Sequence, residues 1–166
     1  MLEKKRVTTE EELDQLLPII HDVWQEAFVP IIGQAQVDYM LATYQSKEQI
    51  QKELGNDVYY FLLIKDDQPV GYTAYEKFES SIYLSKLYLL ASVRGQGLIS
   101  AVFDWYEKLA KKEKVSEIFL RVNQDNLHAI EVYKHQGFQL EEELISDIGE
   151  GFQMVDYKMK KELAYR

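Results

Sequence analysis

Arg94-Gly95-Gln96-Gly97-Leu98-Ile99-Ser100 places two glycines between an apolar run, Leu87-Tyr88-Leu89-Leu90, and an amphipathic stretch. A strand that turns through glycines into a helix leaves backbone N–H groups without intrahelical partners, and the helix dipole reinforces their positive end. Such a turn binds anions, phosphates above all. No Gly-Lys-Ser/Thr follows, as an ATP-binding Walker loop requires, and the third glycine of a dinucleotide fingerprint is missing. His21, His128 and His135 are too widely spaced to read as metal ligands. Glu141-Glu142-Glu143 reads as the charged start of a strand rather than a hydrolytic carboxylate pair.

The composition narrows the classes further. At 166 residues the chain has the length of one domain, and residues 1–166 are expected to form one. The absence of cysteine excludes thiol nucleophiles, thiolate metal sites and disulfides. A net charge of −9 argues against a nucleic-acid partner and suits a cationic one. The charged start Met1-Leu2-Glu3-Lys4-Lys5-Arg6 does not read as a signal peptide, and no segment approaches the ~20 apolar residues of a membrane span. A cytoplasmic protein is the expectation. Twelve tyrosines and seven phenylalanines are expected mainly in the core, with enough left over to allow a homodimer.

The elements that must position the turn follow from periodicity. Thr9 to Glu12 matches a capping box, opening a helix whose stripe is Leu13, Leu16, Leu17, Ile20, Val23, Trp24, Ala27 and Phe28; Pro18 should kink it or delay its regular part. Pro30 and Gly33 mark a break. Val37, Met40, Leu41 and Tyr44 suggest a second helix, and Ser46 with Gln49 a second capping box, before Gly55. Strands follow at Val58–Ile64, Pro69–Tyr75 and Ile82–Leu90, the last changing phase at Ser85-Lys86 as a bulge would. After the glycines, Leu98, Ile99, Val102, Phe103, Tyr106, Leu109 and Ala110 form a helical stripe. Ile118–Val122 reads as a buried strand, making a strand–helix–strand crossover with the glycine turn at a carboxyl strand end, where α/β sheets bind ligands. Asn126 caps a short helix that ends at Gly137, and a hairpin through Gly149-Glu150-Gly151 closes the chain.

Asn126-Leu127-His128-Ala129-Ile130-Glu131-Val132-Tyr133-Lys134-His135-Gln136-Gly137-Phe138 resembles the Asn-x-x-Ala-x-x-x-Tyr-x-x-x-Gly-Phe segment of the GNAT superfamily of acetyl-CoA-dependent N-acetyltransferases. Arg94-x-x-Gly97 resembles its coenzyme turn. The resemblance covers residues 57 to 140 and implies an α/β fold of that kind. Its centre would be a mixed, mostly antiparallel sheet of about seven strands, with flanking helices and a splay between the fourth and fifth. It implies a bacterial, cytoplasmic acyltransferase that uses acetyl-CoA and no metal.

By the same resemblance, backbone groups of Gly95, Gln96, Gly97, Leu98, Ile99 and Ser100, with Arg94, would hold the coenzyme pyrophosphate. The stretch Leu87-Tyr88-Leu89 would pair with pantetheine, and Asn126 and Lys134 would contact the coenzyme. Tyr133 would protonate the departing thiolate. Ile99 departs from the family pattern, which usually has Gly or Ala there. Some relatives carry a basic Glu where this chain has Arg121, which leaves Glu76, Tyr83, Ser85 or a water chain to take the amine proton. Phe28, Tyr39, Tyr75 and Phe152 are candidates for lining the acceptor side. The closing hairpin is similar to bacterial polyamine N-acetyltransferases. The acceptor is therefore a small-molecule or peptide amine, a polyamine or a protein N-terminus among them. An inactive coenzyme A-binding module and another phosphate-ligand protein stay open.

Overall fold

The computed structural model describes residues 2–163. In chain order these form β1 (Leu2–Arg6), α1 (Glu10–Ala27), α2 (Val29–Ile32), α3 (Gln34–Tyr44), α4 (Lys47–Leu54), β2 (Val58–Lys65), β3 (Gln68–Lys77) and β4 (Ser81–Leu89). A 3-10 turn (Ala91–Val93), α5 (Leu98–Glu113), β5 (Glu117–Asn123), α6 (Leu127–His135), β6 (Gln139–Gly149) and β7 (Phe152–Glu162) follow. The strand order is β1-β2-β3-β4-β5-β7-β6. The β4–β5 pair is parallel, whereas β1–β2, β2–β3, β5–β7 and β6–β7 are antiparallel. This is the mixed, mostly antiparallel sheet that the resemblance implies. By packing, the chain divides into two compact units, one running to Glu76 and including Lys86–Leu98, the other comprising Lys77–Ser85 and the chain from Ile99 onward.

In the first unit, the Thr9 hydroxyl accepts from the Glu12 N–H at 3.1 Å, and Glu12 Oε1 accepts in return from the Thr9 and Thr8 N–H groups at 3.0 Å each. α1 then runs without interruption through Pro18 from Glu10 onward, so its regular part is not delayed. Pro18 is exposed, so the carbonyl that its missing N–H leaves free can face water. The expected stripe is buried at Leu13, Leu16, Ile20, Val23, Trp24 and Phe28. The break at Pro30 and Gly33 contains a further helical turn, α2, because Pro30 suits a first helical position. Ser46 caps α4 as expected, but Gln49 Nε2 donates to Glu53 instead of completing the box. Tyr44, expected on the buried stripe of α3, is exposed.

A chain of hydrogen bonds crosses this core. Trp24 Nε1–H donates to the Tyr72 hydroxyl (2.8 Å), which donates to Gln45 Oε1 (3.0 Å); Gln45 Nε2–H donates to the Tyr60 hydroxyl (3.1 Å), which donates to Glu53 Oε1 (2.8 Å). Every hydroxyl in it both accepts and donates, which burial demands. The β2–β3 hairpin turns through Asp66 and Asp67, both at positive φ (50° and 62°), the backbone that a two-residue turn joining right-twisted strands requires. A bulge between Leu63 and Ile64 adds one residue to β3.

In the second unit, the parallel ladder joins Ser81, Ile82 and Tyr83 to Glu117, Ile118 and Phe119, short of the carboxyl ends of both strands. Ile118, Leu120 and Met159 are buried on one side of β5 and β7, with Val102, Phe103, Tyr106 and Ala110 of α5 as their apolar complement. α5 ends at Lys114, which takes the left-handed conformation (φ 59°) more often given to glycine, while Val115 N–H reaches the Ala110 carbonyl. The β6–β7 turn places Glu150 and Gly151 at positive φ.

The phase of β4 changes where expected: Ile82 and Leu84 are buried, Ser85 and Lys86 are both half-buried, and Leu87 and Leu89 are buried. β3 crosses the second half of β4 very closely. A Cβ on Gly71 would stand 2.2 Å from the Tyr88 carbonyl oxygen and 3.0 Å from the Leu89 Cα. Gly71→Ala is therefore expected to cost about 3 kcal/mol, since the obstacle is backbone that cannot rotate away; a lower urea midpoint at unchanged slope would report it.

Hydrogen bonds, first from the Thr8 N–H, hold the Glu12 carboxyl down from 4.5 to about 2. A depressed carboxyl stabilises the fold above its unfolded pKa, and that contribution is lost as pH falls through the folded value. The stability advantage of the wild-type protein over Glu12→Gln should thus shrink between pH 4.5 and pH 2 in acid-denaturation curves.

Candidate functional site

The glycine turn is held from several sides within the first unit. Leu90 N–H donates to the Val70 carbonyl (2.8 Å), Ala91 N–H to Glu26 Oε2 (2.7 Å), and Lys65 Nζ to Gln96 Oε1. The Arg94 guanidinium donates to the Leu89 carbonyl at 3.3 Å. Gly95 and Gly97 adopt φ of 80° and 75°, conformations that an L side chain resists. A Cβ on either would meet no heavy atom within 4 Å, so conformation and open space, not packing, account for glycine there.

Leu98, Ile99 and Ser100 are the first three residues of the 16-residue α5, so their N–H groups have no carbonyl four residues back within the helix. The helix accommodates the β-branch of Ile99, which is half-buried. Ser100 Oγ accepts from Gln136 Nε2 at 3.1 Å, tying the first turn of α5 to the end of α6. Positive-φ glycines ahead of N–H groups without intrahelical partners and a helix dipole are chemistry that suits an anion.

In the second unit, β5 leads into α6. The Asn126 side chain caps α6 through the Ala129 N–H (3.3 Å), and its own N–H donates to the Asn123 carbonyl (3.0 Å). Tyr133 is half-buried; its ring meets Phe103 edge-on at 5.9 Å and lies 6.2 Å from Phe138. Gly137, at φ 94°, reverses the chain so that Phe138 N–H returns to the Tyr133 carbonyl at 3.0 Å. No hydrogen bond from the described residues engages the Tyr133 hydroxyl, and burial pushes its pKa up to about 12. The phenol is thus protonated at neutral pH and free to donate. Lys134 is exposed and lies 3.7 Å from Glu131.

The candidates for the acceptor side fall in both units. In the first, Phe28 and Tyr75 are buried, Tyr39 and Glu76 half-buried. The Phe28 ring lies tilted against Trp24 at 4.7 Å and meets Tyr88 edge-on at 5.4 Å. In the second, Tyr83 lies parallel to Phe119 at 4.8 Å, with Lys158 Nζ 4.8 Å from the Phe119 ring centre, while Ser85 and Phe152 are half-buried.

One charged residue in this unit had no sequence signal. Asp156 is the buried carboxylate among the described residues, 8% exposed. Its Oδ2 faces the Arg121 guanidinium at 3.2 Å, and Arg121 donates to Ser146 Oγ at 3.0 Å. In the sequence Asp156 is one more acidic residue on an alternating strand; only strand register places it opposite Asn123, beside Arg121. No group of three or more His, Cys, Asp or Glu among the described residues could hold a metal, and no helix there is long and apolar enough to cross a membrane.

Comparison with known proteins bears on this arrangement. The model of the acetyltransferase (GNAT) family matches residues 17–138. No curated protein matches the chain. Among solved structures, PaiA N-acetyltransferase from Thermoplasma acidophilum in complex with coenzyme A is 20% identical, with a TM-score of 0.81 over 98% of this chain and 99% of that one. Ribosomal-protein-alanine N-acetyltransferase from Brucella melitensis is 21% identical, with a TM-score of 0.71 over 98% and 99%. A GNAT family acetyltransferase from Elizabethkingia anophelis with acetyl-CoA bound is 13% identical, with a TM-score of 0.65 over 98% of each chain. At these identities the likeness is one of fold.

Proposed function

The chain belongs to the acetyltransferase (GNAT) family, and from that premise we propose that it transfers an acetyl group from acetyl-CoA to a primary amine by direct attack in a ternary complex. The observation that carries this reading is the turn at residues 94–100, where two positive-φ glycines with open space beside them precede the N-terminus of a long helix. The N–H groups from Gly95 to Ser100 take the coenzyme pyrophosphate, with Arg94 and Lys134 as cationic partners. Arg94 exchanges the Leu89 carbonyl for phosphate on binding, which frees Leu89, with Leu87 and Tyr88, to pair with pantetheine. Asn126, at the carboxyl end of β5, adds a polar contact. Residues 1–166 are read as a single acetyltransferase domain.

Tyr133 is the acid. A phenol at about 12 is a weaker acid than the thiol it would form, so it acts as a relay. It gives its proton to sulfur while the nascent amide nitrogen, far more acidic once bonded to carbon, gives one up. The acceptor class is a polyamine, whose cationic charge the net charge of −9 attracts.

Acetyl-CoA at 100 times its Kd should raise stability by about 2.7 kcal/mol, seen as a higher thermal midpoint, while ATP and NAD leave it unmoved. No shift with acetyl-CoA would sink the reading. With an amine panel and detection of free thiol, Tyr133→Phe is expected to lower kcat about 100-fold with little change in KM for acetyl-CoA.

A further inference from the structure

An amine reaches the reaction as an ammonium ion and must lose a proton before it can attack, and Tyr133, protonated, cannot take it. Residue 121 is an arginine and supplies no base. Opposed residues of paired strands project to the same side, as do alternate residues of one strand. The β5–β7 register, Phe119↔Lys160, Arg121↔Lys158 and Asn123↔Asp156, therefore puts these six on one side, away from the side on which Ile118, Leu120 and Met159 are buried. Tyr83, stacked on Phe119, is next to them. On β6, Leu144 opposes Asp156.

The charges on this side are nearly all matched. Lys158 lies 3.1 Å from Glu141, and Lys160 lies 3.8 Å from Glu141, 3.9 Å from Glu117 and 3.5 Å from Glu162. Arg121 faces Asp156 through Oδ2. Asp156 Oδ1 has no donor among the described residues. Every fully buried side-chain polar atom there has a partner, so Oδ1 must reach the surface. A largely buried carboxylate is thus held by one arginine and keeps one oxygen in contact with solvent. It stands opposite the last residue of β5, whose carbonyl also anchors the segment bearing Asn126 and Tyr133.

We propose that Asp156 is the general base of the acetyl transfer, with Arg121 and Ser146 as the residues that position it. This rests on the acetyltransferase reading above. Asp156 Oδ1 takes one proton from the ammonium, and the nitrogen lone pair so released forms the C–N bond as the C–S bond breaks. The second nitrogen proton passes through Tyr133 to sulfur, and Asp156 returns the first to solvent, so each turnover yields amide, thiol and one proton. Burial raises the pKa of Asp156, and the Arg121 charge opposes that rise. The groups that face it from β5, β6 and β7 are Arg121, Asn123, Leu144, Ser146 and Lys158.

The test uses spermidine, a peptide with a free N-terminal alanine, and methoxyamine, which is already neutral at pH 7. Asp156→Asn should lower kcat about 100-fold on whichever protonated amines the wild-type protein acetylates. It should leave the rate with methoxyamine near wild type, and the thermal shift given by acetyl-CoA intact. Arg121→Gln, which removes the cation, should move the acid limb of kcat/KM to higher pH. Equal losses on protonated and neutral amines would make Asp156 structural and overturn the proposal, as would full activity of Asp156→Asn on all three. A wild-type protein that releases no thiol with any of them would instead bring down the transferase reading itself.

Discussion

Where β3 passes β4 at Gly71, the two backbones are so close that a single methyl group would collide with the Tyr88 carbonyl. That contact holds the second half of β4, and Leu90 is pinned beside it by the Val70 carbonyl. From there the chain has little freedom before the glycine turn, because Glu26 holds Ala91 and Lys65 holds Gln96. A cradle of backbone N–H groups binds by direction, so its usefulness depends on a rigid approach. The first unit supplies that approach, and its buried hydrogen-bond chain from Trp24 to Glu53 gives the helices a fixed footing against β2 and β3.

The second unit has a different task. Its apolar layer under α5 leaves the opposite side of β5 and β7 to charged and aromatic groups. Phe103 and Phe138 hold the Tyr133 ring while its hydroxyl has no partner among the described residues, and burial keeps that hydroxyl protonated. Asp156 is a carboxylate whose pKa burial raises while the neighbouring Arg121 cation opposes the rise. Burial raises the pKa of both groups, and only at Asp156 does a neighbouring cation oppose the rise.

Much of this was legible in local pattern. The Thr9 capping box, the Asn126 cap, the stripe of α5, the glycines at positions 95, 97 and 137, and the phase change at Ser85-Lys86 all reflect interactions among residues close in the chain. Local rules misled where water or a neighbour overrode them. Pro18, expected to kink α1 or delay its regular part, leaves the helix regular from Glu10, α2 formed around Pro30 ahead of Gly33, and Gln49 chose Glu53 over the second half of its capping box.

By itself, then, the sequence determined the elements, their order along the chain, and the glycine turn that precedes α5, since capping, periodicity and glycine conformation act within a few residues. Only the tertiary structure decided which distant groups meet. Gly71 against Tyr88, Gln45 between two tyrosines, and Asp156 beside Arg121 depend on strand register and on which side of a strand is covered. A shift of one residue in register would send Tyr60, Tyr72, Arg121 and Asp156 to the other face of their strands.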